Sequence, residues 1–209
     1  MQFLNTGPFD TSETASDAAG RKRAWRQTLR QRRQSLPAAE RIAAAEAIVA
    51  RVSAFPAFAQ PGYVAGYWAT GGELPLHVLQ LRLRADQVWC LPCIQDDNTL
   101  KFAPWRPGDP LVANRYGIPE PDVVLSSQLD AHALSILLVP LLGFSRDGHR
   151  LGMGGGYYDR SLAFRQQAAA PPWLLGIGYA FQELPDLTGE DWDVGLDAVA
   201  TPDELVICR

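Results

Sequence analysis

Apolar positions along this chain alternate between helical stripes and short continuous runs. Residues 21–35 are charged and free of Gly and Pro, which predicts a helix ended by Leu36-Pro37. Pro37 opens a second helix over Ala38–Phe55, where Ile42, Ala45, Val49 and Val52 share a face. Tyr63–Ala69 predicts a buried strand, bounded by Pro61-Gly62 and Gly71-Gly72. A helix over Leu74–Arg84 follows, then strands over Gln87–Cys93 and Leu100–Trp105. Residues 106–127 are rich in Pro and Gly and predict an ordered surface loop. Ser135–Leu142 is nearly all apolar, as expected of a strand covered on both faces. A Gly-rich turn leads to a predicted helix over Gly156–Gln167, then a strand over Leu174–Tyr179. Ala198–Ala200 and Leu205–Cys208 would close the sheet. Strands alternating with helices predict an α/β fold: a single-domain, three-layer α/β/α architecture with a mostly parallel sheet, over residues 21–209.

The chain has 209 residues, of which 47% are hydrophobic and 20% charged, enough apolar content to bury a continuous core. Its net charge of −4 hides an asymmetry. Residues 21–33 carry seven of the 19 basic side chains (Arg21, Lys22, Arg23, Arg26, Arg30, Arg32, Arg33) and no acid, whereas residues 34–209 hold 12 bases against 20 acids. That balance argues against a broad nucleic-acid surface and leaves room for a local anion site. No apolar run is long enough to span a membrane. Residues 1–20 lack the pattern of a secretory signal and read as a polar, disordered tail. Three Cys make no disulfide framework, and a cytoplasmic protein is the expectation.

Six of the 18 glycines lie between positions 143 and 156, in the stretch from Val139 to Arg160. A strand, a Gly-rich turn and a helix start form an anion cradle, because Gly lets backbone approach a ligand and unpaired N–H groups face it. Arg150 adds a planar fork suited to phosphate, and Asp159 could hold Mg²⁺. The Walker A pattern fails, since Tyr157-Tyr158-Asp159 follows Gly156 where Lys and Ser or Thr are required. The dinucleotide pattern fails at Tyr157. Two adjacent tyrosines at the mouth of the turn suit a flat aromatic ligand beside phosphates. A turn used only for packing is the plain alternative.

The run Arg150-Leu151-Gly152-Met153-Gly154-Gly155-Gly156-Tyr157-Tyr158-Asp159-Arg160, after a Val-Pro-x-x-Gly-Phe strand, resembles the signature of the 5-formyltetrahydrofolate cyclo-ligase family. The resemblance extends in order over residues 21–202: Lys22-Arg23-Ala24-Trp25-Arg26, Tyr67-Trp68 with Gly72-Glu73-Leu74, Tyr116–Pro121, Trp192-Asp193-Val194, and Asp197–Pro202. It implies an ATP-dependent enzyme that converts 5-formyltetrahydrofolate to 5,10-methenyltetrahydrofolate, with a reduced folate as small-molecule partner, no nucleic acid or membrane, and a monomer or small homo-oligomer. By resemblance, Lys22, Arg26, Arg150, Leu151, Gly152, Met153, Gly154, Gly155, Gly156, Tyr157 and Tyr158 would bind ATP. Tyr67, Trp68 and Glu73 would bind folate, together with Met153, Gly154, Gly155, Gly156 and Tyr157. Arg150, Tyr157 and Asp159 would be catalytic, and Asp159 and Asp193 would ligate Mg²⁺.

Each residue also has an ordinary reading. Lys22 and Arg26 could be a solvated helix face, the aspartates helix caps, Glu73 a charge at a helix start, and Tyr67 or Trp68 core. Many family members carry Lys in place of Gly155, and some Arg in place of Met153. Phosphate neutralisation here would therefore fall on Arg150, the N-terminal helix and metal. Cys90 and Cys93 match Cys-x-x-Cys but would point to opposite faces of a strand, and no second pair completes a zinc site. The rival readings are a small-molecule kinase and a binder without turnover.

Overall fold

The computed structural model describes residues 15–208. In chain order its helices are α1 (Ala15–Gln34), α2 (Ala38–Ser53), α3 (His77–Gln80) and α4 (Tyr157–Leu162). The strands are β1 (Gly62–Ala65), β2 (Gln87–Ile94), β3 (Leu100–Pro104), β4 (Leu111–Ala113), β5 (Pro119–Pro121), β6 (Leu134–Pro140), β7 (Gly143–Phe144), β8 (Arg150–Leu151), β9 (Trp173–Ile177), β10 (Ala198–Ala200) and β11 (Leu205–Ile207). Seven of them form one sheet in the order β11-β10-β9-β6-β1-β2-β3. The four central pairings are parallel, and the two edge pairings, β2–β3 and β10–β11, are antiparallel. The expected α/β sheet is therefore present.

Alternation along the strands divides the core into two layers. On one face Ile136, Leu138, Val64 and Leu175 pack under Ala44, Ile48 and Val52 of α2 and Leu79 of α3. On the other Leu137, Val139, Leu174 and Val199 pack under Leu162 of α4 and the Val194–Leu196 segment. Among the described residues, no helix is long and apolar enough to cross a membrane.

Several boundaries differ from expectation. α1 begins at Ala15, so residues 15–20 are helical rather than part of a tail, and residues 1–14 lie outside the described residues. β1 stops at Ala65, because beyond Gly66, whose N–H still reaches the Cys90 carbonyl, the chain leaves the sheet. The helix expected over Leu74–Arg84 shrinks to His77–Gln80. Pro75 biases Leu74 toward extended backbone, and Leu74 and Leu76 reach the core without a helix. The Gly156–Gln167 helix is α4 followed by a tighter 3-10 turn over Ala163–Gln166. The 106–127 loop contains the β4–β5 hairpin, whose turn is held by Asn114 Oδ1 accepting from the Tyr116 and Ile118 N–H groups.

Cys90 and Cys93 are free, buried thiols, both pushed up to about 12 mainly by that burial. They are strand residues of the core, with no thiolate character at neutral pH.

Candidate active site

Strand order places the site. From β1 the chain moves outward to β2 on one side, while β6, β9 and β10 extend from β1 on the other. The order reverses between β1 and β6, and loops leaving the carboxyl ends of two such strands part to open a crevice. The loop after β1 carries Trp68 and Glu73; the segment after β6 carries the glycine turn. The sequence pattern put Trp68 within a strand and Glu73 just before a helix, and could not make either a neighbour of the glycine turn.

The glycine turn is built on a short hairpin. β7 pairs with β8, so that Phe144 faces Arg150 and Gly143 faces Leu151. The Leu151 side chain is buried with Leu29 of α1 and Leu187, and its carbonyl accepts from Leu142 N–H. Leu151 thus anchors the turn from below. Gly154 and Gly156 both take left-handed backbone, with φ of 94° and 66°. Among the described residues, the backbone N–H groups of Met153, Gly154, Gly155 and Gly156 have no acceptor. Their carbonyl neighbours are taken instead: Arg26 Nε donates to the Gly152 carbonyl at 2.9 Å, and Arg160 Nη2 to that of Gly155 at 2.6 Å. Cations therefore hold the carbonyl side of the turn and leave its donors open. α4 has only six residues, so the anion-attracting field comes from the turn rather than from a long helix dipole.

Arg150 and Asp159 form the charged centre. Arg150 Nη2 donates to Asp159 Oδ1 at 2.5 Å, and the arginine side chain is only 5% exposed. Its Nη1 is buried without a partner among the described residues, a spare donor on a fixed cation. The guanidinium also lies over the Tyr158 ring. Val194 N–H reaches Asp159 Oδ1 at 3.4 Å, bringing the 190–194 turn against the glycine turn. In that turn Asp193 Oδ2 accepts from Glu190 N–H, and Lys22 Nζ pairs with Glu190 Oε1 at 2.7 Å. Lys22 and Arg26 thus reach the site from one face of α1. Among the described residues, Asp159 and Asp193 each retain a carboxylate oxygen without a hydrogen bond, and no cluster of three or more acidic, His or Cys side chains that could hold a metal ion occurs. Two carboxylates fit Mg²⁺, which takes few protein ligands and completes its shell with phosphate and water. Asp197, by contrast, is committed to Arg165 and to the Leu174 N–H.

Across the crevice, Glu73 Oε2 accepts from Thr70 N–H at 2.9 Å, while Oε1 has Arg33 Nη1 at 3.7 Å. Burial pushes the Glu73 carboxyl up, and the Thr70 contacts and the Arg33 charge pull it back. Tyr67 is core: its ring is buried and its hydroxyl donates to the Leu74 carbonyl at 2.8 Å. Trp68 is 37% exposed and packs edge-on against Trp105. Tyr158 is pushed up, mainly by burial and then by the Glu73 charge, so its phenol stays protonated.

Tyr157 and Met153 lie on the open side of the turn. The Tyr157 hydroxyl is 2.5 Å from that of Tyr116 at the tip of the β4–β5 hairpin and donates to Asn98 Oδ1 at 3.3 Å. Arg115 and Arg160 both flank its ring. Sequence reasoning gave no role to Asn98, Arg115, Arg160 or Arg33, although Arg33 lay in the basic cluster, Arg160 closed the signature run and Tyr116 opened the Tyr116–Pro121 element. The space beside Gly155 is closed by the Tyr157 ring, 2.9 Å from where a Cβ would stand.

A glycine turn with open donors, beside a basic helix and set at a sheet's switch point, is the kind of crevice in which α/β proteins hold anionic ligands. The chain belongs to the 5-formyltetrahydrofolate cyclo-ligase family, whose sequence profile matches residues 18–202. It is 34% identical over 180 residues to the 5-formyltetrahydrofolate cyclo-ligase of Escherichia coli, covering 85% of this chain and 98% of that one. It is 30% identical to that of Mycolicibacterium smegmatis, covering 87% and 94%. In structure it is similar to the 5,10-methenyltetrahydrofolate synthetase of Aquifex aeolicus, with a TM-score of 0.76, 26% identity and coverage of 90% and 93%.

Proposed function

We propose that this chain is an ATP-dependent 5-formyltetrahydrofolate cyclo-ligase, with ATP over the glycine turn and the folate between that turn and the β1 loop. The observation that carries this reading is the glycine turn itself, its N–H donors open and a buried Arg150 with a spare donor beside it. The formyl group on N5 is an amide, and its oxygen is a poor leaving group when N10 attacks. Transfer of the γ-phosphoryl group to that oxygen would release ADP and make an iminium phosphate; N10 would then add to the formyl carbon and give up its proton as the C–O bond breaks and inorganic phosphate leaves.

The protein's work is positioning and charge neutralisation. The turn N–H groups from Met153 to Gly156 and Arg150 would hold the phosphoryl oxygens, with Lys22 and Arg26 on the α1 side and Tyr157 and Tyr158 at the mouth. Asp159 and Asp193 would hold Mg²⁺, which would supply positive charge to neutralise the phosphoryl oxygens. Glu73 would accept paired N–H donors from the pterin ring, and Trp68 would lie along it, with Tyr67 supporting the loop from the core.

Mixing the protein with Mg-ATP and 5-formyltetrahydrofolate is expected to raise near-ultraviolet absorbance as methenyltetrahydrofolate forms. A folded protein that gives no rise would overturn the reading. Arg26→Ala is expected to raise KM for ATP by roughly tenfold, because the turn loses a charge-assisted restraint on Gly152. An unchanged nucleotide affinity by titration would refute that role.

A further inference from the structure

The basic cluster that opens the chain serves both halves of the crevice. Lys22 and Arg26 meet the glycine side, and two turns on, Arg33 enters the gap beyond the ends of β1 and β6. Arg33 is only 3% exposed. Its Nε donates to the Gly71 carbonyl at 3.0 Å, and its Nη1 donates to the Leu141 carbonyl at 3.3 Å and stands 3.7 Å from Glu73 Oε1. One guanidinium therefore ties the loop after β1 to the segment after β6 and faces the carboxylate between them. A lysine presents a point charge and could not span these acceptors.

We propose that Arg33 is the positioning residue of the folate subsite: it sets its positive charge against the Glu73 carboxylate and leaves Oε1 open to the ligand. The proposal rests on Glu73 being the folate-binding carboxylate. Glu73 Oε2 is already occupied by Thr70, which donates from its N–H at 2.9 Å. Oε1 has Arg33 at a distance longer than a hydrogen bond, so it feels the charge without spending its lone pairs on it. An ionised Oε1 can accept an N–H donor from the ligand, whereas a proton carried on Oε1 would point at that donor instead. Burial favours the protonated form; the Thr70 N–H bond and, after it, the Arg33 charge oppose it. The other titratable groups facing this cluster are phenols. Tyr67 and Tyr158 are both pushed up, chiefly by burial, and neutral, and Tyr179 flanks Arg33. Arg30 adds a second positive charge on the same helix. Arg33 is thus the cation set directly against Glu73.

The test is Arg33→Met and Arg33→Lys, with KM for folate and for ATP measured in the near-ultraviolet assay from about pH 6 to about pH 9. Arg33→Met is expected to raise KM for folate roughly tenfold at neutral pH, with KM for ATP within about twofold. The defect should shrink as pH rises and Glu73 ionises unaided, and Arg33→Lys should fall between Met and wild type. In a Glu73→Gln background, Arg33→Met should add less than about twofold, because both changes remove one interaction. A loss independent of pH, equal for both substrates, or additive with Glu73→Gln would overturn the proposal and leave Arg33 a structural residue. If Arg33→Met does not fold, the pH profile and additivity of Arg33→Lys decide the same question. Glu73→Gln alone separates the two levels. An unchanged folate KM there sinks the assignment of Glu73 and the proposal with it, whereas a raised KM beside a normal Arg33→Met sinks the proposal alone.

Discussion

Asp159→Asn is expected to lower turnover by roughly a hundredfold to a thousandfold with little change in stability, and Arg150→Ala by at least as much with a stability cost. The two differ because of their places in one ion pair. Asn at position 159 could still accept from Arg150 and from the Val194 N–H, so the local structure survives. What would disappear is the negative charge and the carboxylate oxygen that the proposed Mg²⁺ site would use. Removing Arg150 leaves the Asp159 carboxylate, 23% exposed, without its cation. Breaking a buried pair from one side costs about 3 kcal/mol, discounted here because Asp159 keeps some solvent. It also removes the spare, buried Nη1 donor of Arg150. Turnover by the near-ultraviolet assay and thermal unfolding of both variants would check this. Activity within tenfold of wild type in both would dismantle the Arg150–Asp159 centre.

A second large effect is expected from Gly72→Ala. At φ of 82° the residue lies in the left-handed region, and a Cβ there would stand 2.5 Å from the Arg33 carbonyl oxygen. Backbone faces backbone, so no side-chain rotation can relieve the contact. Strain and overlap together should cost about 3 kcal/mol, or a fall in Tm of roughly 6–12 °C. The C-terminal end of α1 would also lift from the turn that carries Glu73, so KM for folate should rise. Gly71→Ala is the internal comparison. Its φ is 54°, and its Cβ would meet nothing closer than Arg33 Nη2 at 3.5 Å. It should cost only about 1 kcal/mol. Equal losses from both substitutions would show that the α1–turn contact has no special role.

Much of the architecture was legible from pattern. The apolar run of β6, the amphipathic α2 and the β2–β3 pair stand where periodicity put them, because burial on one or both faces writes itself into local composition. The failures are equally physical. Periodicity showed leucines at positions 74, 76, 79 and 83, but it could not weigh Pro75 against them, and the helix is four residues long. The 106–127 segment looked like loop because Pro119 and Pro121 suppress strand propensity, yet β5 is an edge strand where proline is tolerated.

The order of short motifs, the glycine turn with its two tyrosines, and the density of positive charge in residues 21–33 were set by sequence alone, since each is a local arrangement of residue types. Their pairing was decided only by tertiary structure. Arg26 and Gly152 are 126 positions apart, and Lys22 and Glu190 168 apart; which basic residue meets which loop depends on α1 crossing the reversal between β1 and β6. Seven neighbouring cations look alike in sequence. The fold sends Lys22 and Arg26 to the glycine side, lays Arg32 over Phe181, and buries Arg33 beside Glu73. Helical rotation gives each a different direction, and burial turns a difference in direction into a difference in chemistry.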